Sequence, residues 1–268
     1  MRAGQQSIPC GLAVKIEAYL SPADYQAQAA TGYGEAVCVV LDVLRATSVM
    51  VAGLANGAAG FVPTAEIATA LALRHQHPNA LLAGERDGRR ITSAQSGGVD
   101  FDLGNSPREY TAAAVRDRHI VTTTTNGTRA FAACRGAKHL FAGSFLNLTR
   151  TAQQILRSNC EEVILVCSGT GEAVAFEDCL GAGALCHQLL ARKADIQLGD
   201  SASFTADLYT ANAGDLEGAL EKSSNARRLL AIPELGDDVA FCMTANLFPI
   251  VVAGESNGRL HRIGAEQV

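Results

Sequence analysis

Short, continuously apolar runs alternate along this chain with longer stretches whose apolar positions recur at helical spacing. The runs predict strands at 13–19, 36–41, 60–62, 80–83, 119–121, 139–141, 163–167 and 248–252. The stretches between them predict helices at 48–55, 65–75, 128–134, 147–158, 179–191 and 202–214. A run such as Val163-Ile164-Leu165-Val166 has no polar face, so its sheet needs helices over both sides. An α/β layered fold follows. Two regions break the rhythm. Residues 79–107 carry Gly84, Gly88, Gly97, Gly98 and Gly104 among dense charges and read as an irregular, site-bearing excursion. Residues 202–235 read as a polar helical region over the surface. No repeat or low-complexity tract divides the chain, which reads as a single unit over 1–268.

Composition narrows the class. Of 268 residues, 48% are hydrophobic and 18% charged, which fits a compact enzyme rather than a disordered chain. A net charge of −5 leaves no broad basic face and argues against nucleic acid as a partner. Met1 to Gly11 lacks the apolar core of a signal peptide, and no apolar stretch approaches the ~20 residues of a membrane span. Eight cysteines, including Cys10, form no Cys-x-x-Cys or zinc-finger pairing and read as small buried hydrophobes of a cytoplasmic protein. Association into a homo-oligomer stays open.

Candidate chemistry lies in five polar clusters that follow strands. The densest is Thr122-Thr123-Thr124-Thr125-Asn126-Gly127-Thr128-Arg129. A helix start offers unpaired N–H groups to an oxyanion, and Arg129 adds a planar fork; the bland alternative is a capped polar turn. Asp42-Val43-Leu44-Arg45-Ala46-Thr47-Ser48 follows another strand, where ligands of open α/β sheets gather. Asp42 suits a metal or a proton and Arg45 an anion, or the two close a loop as an ion pair. Gly84-Glu85-Arg86-Asp87-Gly88 lets the backbone approach a ligand closely, or forms a solvated turn. In Asp102-Leu103-Gly104-Asn105-Ser106-Pro107, Ser106 and Pro107 read as a helix start that Asp102 and Asn105 approach. Ser144 and Asn147 open another helix after Gly143. Last, Cys167-Ser168-Gly169-Thr170-Gly171-Glu172 precedes the pair Glu177-Asp178, either complementing a helix dipole or binding a hard cation such as Mg²⁺.

Carboxylates, arginines and hydroxyl-rich loops together suit phosphoryl transfer. Familiar phosphatase signatures are missing: Asp42 lacks the second Asp of an Asp-x-Asp motif, Cys167 has Ala173 six residues on, and Arg74-His75 is followed by Gln76.

Six of these motifs, in this order, resemble the 2-phosphosulfolactate phosphatase (ComB-like) family: 42–48, 84–86, 101–107, 123–130, 143–147 and Glu177-Asp178. The likeness runs from about Val14 to Leu260. It implies a layered α/β/α sandwich with a mostly buried mixed sheet. It also implies a Mg²⁺-dependent phosphatase that converts 2-phospho-3-sulfolactate, a small anionic phosphoester, to 3-sulfolactate and phosphate, a step toward coenzyme M. Asp100 stands where the family usually has Gly, so the neighbouring 96–99 segment is reshaped. On this footing Glu85, Asp102, Glu177 and Asp178 are expected to hold Mg²⁺. Asp42 joins them, orients the attacking water, or forms a phosphoenzyme. Arg45, Arg129 and the 124–128 backbone (Thr124, Thr125, Asn126, Gly127, Thr128) would hold the phosphoryl oxygens. Arg86 and Asn105 would face the sulfonate or carboxylate, with Thr47, Ser106, Ser144 and Asn147 completing the binding set. The alternatives are a phosphatase for another small phosphorylated acid and a non-catalytic binder of one.

Overall fold

The computed structural model describes residues 13–264. Cys10 and the Met1–Gly11 segment lie outside them. Among the described residues eleven strands form one sheet: β1 Val14–Tyr19, β2 Val37–Leu41, β3 Gly60–Pro63, β4 Leu81–Arg86, β5 Arg89–Arg90, β6 His119–Thr123, β7 His139–Gly143, β8 Glu162–Cys167, β9 Ile196–Leu198, β10 Val251–Gly254 and β11 Leu260–Ile263. Their order is β5-β4-β6-β3-β11-β10-β7-β2-β8-β1-β9. Two parallel blocks, β4-β6-β3 and β7-β2-β8-β1-β9, are joined by the antiparallel hairpin β10–β11. The expected mixed sheet is present, and helices cover it.

Period-two alternation shows why both faces are dry. Val37, Val39 and Leu41 of β2 enter one apolar cluster, whereas Cys38 and Val40 enter another. Val163, Leu165 and Cys167 of β8 divide from Ile164 and Val166 in the same way. One face is covered by helices that include Leu148–Arg157, Phe176–Leu190 and Asp200–Asn212. The other packs against Ala46–Ala55 and Gly127–Ala133. Every residue from Ala46 to Leu54 is buried, as a helix without a polar stripe requires. That helix contacts β7, β10 and β11, so it sits where the two parallel blocks meet.

Three antiparallel pairings in succession set the two blocks in opposite senses along the sheet. Strand twist accumulates from neighbour to neighbour, and the ends of β2, β4 and β6 still reach one cleft.

The eight expected strands and six expected helices are present with shifted ends. The strand expected at 248–252 begins only at Val251, because the Asn246 and Phe248 N–H groups donate to Phe145 and Leu146 instead. The helix expected from Ser106-Pro107 is a single 3₁₀ turn, Pro107–Glu109. The irregular reading of 79–107 needs correction: β4 continues to Arg86 and folds back through Asp87-Gly88 into β5, pairing Arg86 with Arg89. Both turn residues have positive φ, 56° and 79°, the geometry that an Asp-Gly hairpin supplies.

Candidate active site

The cleft lies at the ends of β2, β4 and β6 and is lined by Asp42, Arg45, Glu85, Asp87, Asn105, Thr124, Thr125 and Asn126, together with Thr170 and Arg228. Its floor follows from strand ends. Asp42 is the residue after β2, and the turn into the Ala46–Ala55 helix bends its carboxylate back on the backbone. Asp42 Oδ1 accepts from Ala46 N at 3.0 Å, and the Asp42 carbonyl accepts from Thr47 N at 3.0 Å and Thr47 Oγ1 at 2.9 Å. Thr47 is thus a buried brace for Asp42. Gly127 closes the other side: a Cβ there would stand 2.8 Å from Asp42 Oδ2, so only glycine admits the two chains this closely.

Glu85 organises the adjoining wall. Oε1 accepts from Thr125 N and Thr125 Oγ1, both at 2.9 Å, and Oε2 accepts from Gly88 N at 2.8 Å. One carboxylate therefore ties the threonine turn to the hairpin turn, and the hairpin is what brings Gly88 within reach. Thr128 Oγ1 donates to the Thr124 carbonyl at 2.8 Å and holds the start of the next helix.

Burial dominates the electrostatics. Asp42 is pushed up to about 6, chiefly by loss of water and further by the Glu85 and Glu177 charges, against lowering N–H contacts from Ala46 and Gly127. Asp178 is held well above the usual carboxylate range by burial and by Glu177 and Asp42. Burial and mutual repulsion thus make it costly for these acids to be ionised together without a cation.

Against those acids stands Arg45, buried to 2% exposure. Its Nη1 donates to Asp238 Oδ2 at 2.7 Å and its Nη2 to the Gly88 carbonyl at 2.6 Å. Asp238 also accepts from Ser106 Oγ at 2.7 Å and lies 3.2 Å from Arg108 Nε.

Comparison with known proteins bears on what such a cleft is for. The sequence profile of 2-phosphosulpholactate phosphatase matches residues 20–257. A probable 2-phosphosulfolactate phosphatase of Pseudothermotoga lettingae is 40% identical over 216 residues, covering 80% of this chain and 88% of the relative. Proteins of the same name from Thermotoga maritima and Deinococcus radiodurans are 36% and 38% identical, over 80% and 82% of this chain and 87% and 89% of theirs. The chain belongs to the 2-phosphosulpholactate phosphatase family. As a member it is a phosphoric monoester hydrolase.

Within this phosphatase the expected site residues divide. Asp42, Arg45, Glu85, Asn105, Thr124, Thr125 and Asn126 share the cleft, while Gly127, Thr128, Thr47 and Ser106 support its walls. Asp102 does not join them. Its Oδ2 accepts from Leu82 N and pairs with Arg74, each at 2.8 Å, on the outer side of β4. Glu177 and Asp178 lie behind the cleft wall and are tied up there. Glu177 accepts from Ser223 Oγ and Asn225 Nδ2, both at 2.6 Å, and Asp178 accepts from Val43 N at 2.8 Å and Gly169 N at 3.2 Å. Asp178 thereby joins the β2 and β8 end loops. Arg86 turns to its own sheet, donating to the Glu85 carbonyl at 2.6 Å and Thr123 Oγ1 at 3.2 Å. Arg129 is at the rim, paired with Glu172 at 2.7 Å. Ser144 and Asn147 form a buried turn outside the cleft lining, Ser144 N donating to Asn147 Oδ1 at 3.0 Å. The 97–100 segment is exposed and does not line the cleft, so the departure at Asp100 lies outside it.

The sequence reading placed Thr170 in a candidate cluster without giving it a role, and it missed Asn225, Arg228 and Asp238. The last three lie on Ser224–Leu230 and Gly236–Cys242, short helices within or just beyond the region read as surface cover. Asp238 was legible only as an acid beside apolar Val239; Asn225 and Arg228 carried no signal.

Proposed function

We propose that this enzyme hydrolyses 2-phospho-3-sulfolactate to 3-sulfolactate and phosphate with Mg²⁺ as cofactor. The observation that carries the reading is one cleft uniting an ionisable buried Asp42, a Glu85-braced threonine turn and the guanidinium of Arg45. Among the described residues no group of three His, Cys, Asp or Glu forms a ready-made metal cage. Mg²⁺ needs no such cage, since it keeps waters and takes one or two carboxylates plus phosphate oxygens. Asp42 and Glu85 fit that role, and the charge crowding that raises Asp42 is what a cation would relieve. When bound, the ion would neutralise phosphoryl charge and lower the pKa of a nearby water.

The chain's own residues supply the rest. Thr124, Thr125, Asn126 and Arg45 surround the phosphoryl oxygens. Asp42 orients the attacking water and takes its proton as oxygen bonds to phosphorus and the ester P–O bond breaks. At about 6 before a cation is present, Asp42 is ionised at neutral pH and can accept the hydrogen bond that orients this water. The product is 3-sulfolactate, which places the reaction on a sulfolactate route such as that toward coenzyme M. Free thiols at all seven described cysteines support a cytoplasmic setting, and none of the described helices is long and apolar enough to cross a membrane.

The test is phosphate release from phosphosulfolactate, phospholactate and common sugar phosphates, with and without Mg²⁺. Preferred, Mg²⁺-dependent turnover of phosphosulfolactate supports the reading; equal turnover of the sugar phosphates, or turnover unaffected by chelation, defeats it.

A further inference from the structure

Two guanidinium groups line the cleft, and their charges are met differently. Arg45 is buried against the carboxylate of Asp238. Arg228 is exposed at the cleft mouth, and its hydrogen-bond acceptor is a neutral one, Asn225 Oδ1 at 3.2 Å. Asn225 cannot turn to do otherwise. Its Nδ2 donates to Glu177 Oε1 and Thr170 Oγ1, both at 2.6 Å, which fixes the amide oxygen toward Arg228. The next residue, Leu229, is buried and anchors the Ser224–Leu230 helix on the core, so the base of Arg228 is held as well. The result is a cationic fork that, among the described residues, forms no ion pair, on a cleft whose other charged lining is the buried Asp42, Glu85 and Arg45 and the exposed Asp87 of the hairpin turn.

We propose that Arg228 binds an oxyanion of the substrate that is not transferred, sulfonate or carboxylate, and thereby selects phosphoesters that carry a second acid. This inference rests on the function proposed above. A guanidinium fork matches either oxyanion, and the neutral Asn225 contact leaves its charge available for one.

The experiment compares wild type, Arg228→Ala and Arg228→Lys on three esters: 2-phospho-3-sulfolactate, 2-phospholactate without the sulfonate, and 2-phosphooxyethanesulfonate without the carboxylate. On the full substrate, Arg228→Ala should raise KM about 10- to 100-fold with kcat little changed, the size of one lost charge-assisted hydrogen bond. Arg228→Lys should recover part of that loss. On the ester lacking the gripped oxyanion, wild type and Arg228→Ala should have equal KM, and whichever ester behaves so identifies the oxyanion. An unchanged KM in Arg228→Ala, or an equal rise on all three esters, overturns the inference. Failure of the substrate reading looks different: wild type then releases no phosphate from phosphosulfolactate but does so from another phosphorylated diacid, on which the same Arg228 comparison decides the inference.

Discussion

Asp238 Oδ2 sits 2.7 Å from Arg45 Nη1 with both side chains almost fully out of water, 0% and 2% exposed. The pair joins a helix near the end of the chain to the turn after β2. Asp238 also binds Ser106, so three distant segments share one carboxylate. Asp238→Ala leaves a buried guanidinium with only the Gly88 carbonyl. A buried pair broken in this way costs about 3–5 kcal/mol. Chemical denaturation should report that loss, and kcat should fall with it because Arg45 is no longer aimed at the cleft. Asp238→Asn, which keeps the shape but not the charge, should be intermediate in both.

Asp42 gives opposite effects on stability and activity. Its folded-state pKa of about 6 lies above the ordinary 3.8, so the folded protein holds this proton more tightly than the unfolded chain. The stability it contributes is full below pH 3.8 and is lost as pH rises through about 6. In metal-free buffer, Asp42→Asn should therefore be more stable than wild type at pH 8, the advantage shrinking as pH falls. The same variant should lose turnover. In the wild type, kcat/KM should drop on the acid side near pH 6, and Mg²⁺ should move that limb lower, since a nearby cation favours the ionised carboxylate. A limb that ignores Mg²⁺ would remove Asp42 from the metal's surroundings.

How far the site could be read from sequence follows from which contacts are local. Asp42 and the 124–128 turn come directly after strands and Glu85 sits at the end of one, so each was legible as a strand-end residue; that strands of two opposed blocks bring them to one cleft was not. Asp102 looked equivalent by the same rule. Its carboxylate instead reaches Leu82 N of the neighbouring β4 and Arg74, a pairing set by how the 101–105 segment lies against β4. The Asp87-Gly88 hairpin was legible in its residues, yet the charges around it hid the two-residue return. Asn225 and Asp238 could not be found, because their partners Glu177 and Arg45 are 48 and 193 residues away and periodicity carries no information about such pairings.

Gly127 tests how tightly the floor is built. A methyl there would meet both Asp42 Oδ2 and Ala46 Cβ at 2.8 Å, closer than such contacts occur. Neither neighbour can retreat easily, since Asp42 is fixed by Ala46 N and Ala46 opens a wholly buried helix. Gly127→Ala should cost about 1–3 kcal/mol by overpacking. Displacement of Asp42 should also lower kcat more than it changes KM. Steady-state kinetics beside a denaturation curve separates the two.

Asp102 and Glu85, both expected from sequence to hold Mg²⁺, should behave differently when neutralised. Asp102 is in a half-exposed pair with Arg74, and an amide oxygen at the same place can still accept from Leu82 N. Asp102→Asn should leave Mg²⁺-dependent turnover within about twofold of wild type and stability within about 1 kcal/mol. Glu85 has N–H donors on both oxygens, from Thr125 and Gly88. Glu85→Gln must turn an NH₂ group toward one of them, which undoes either the threonine turn or the hairpin contact and removes a charge from the cleft. A loss of about 10- to 100-fold in kcat/KM is expected, with weaker Mg²⁺ activation. Titration of activity against Mg²⁺ for both variants decides the matter: a collapse in Asp102→Asn with Glu85→Gln intact would reverse the assignment made from the cleft geometry.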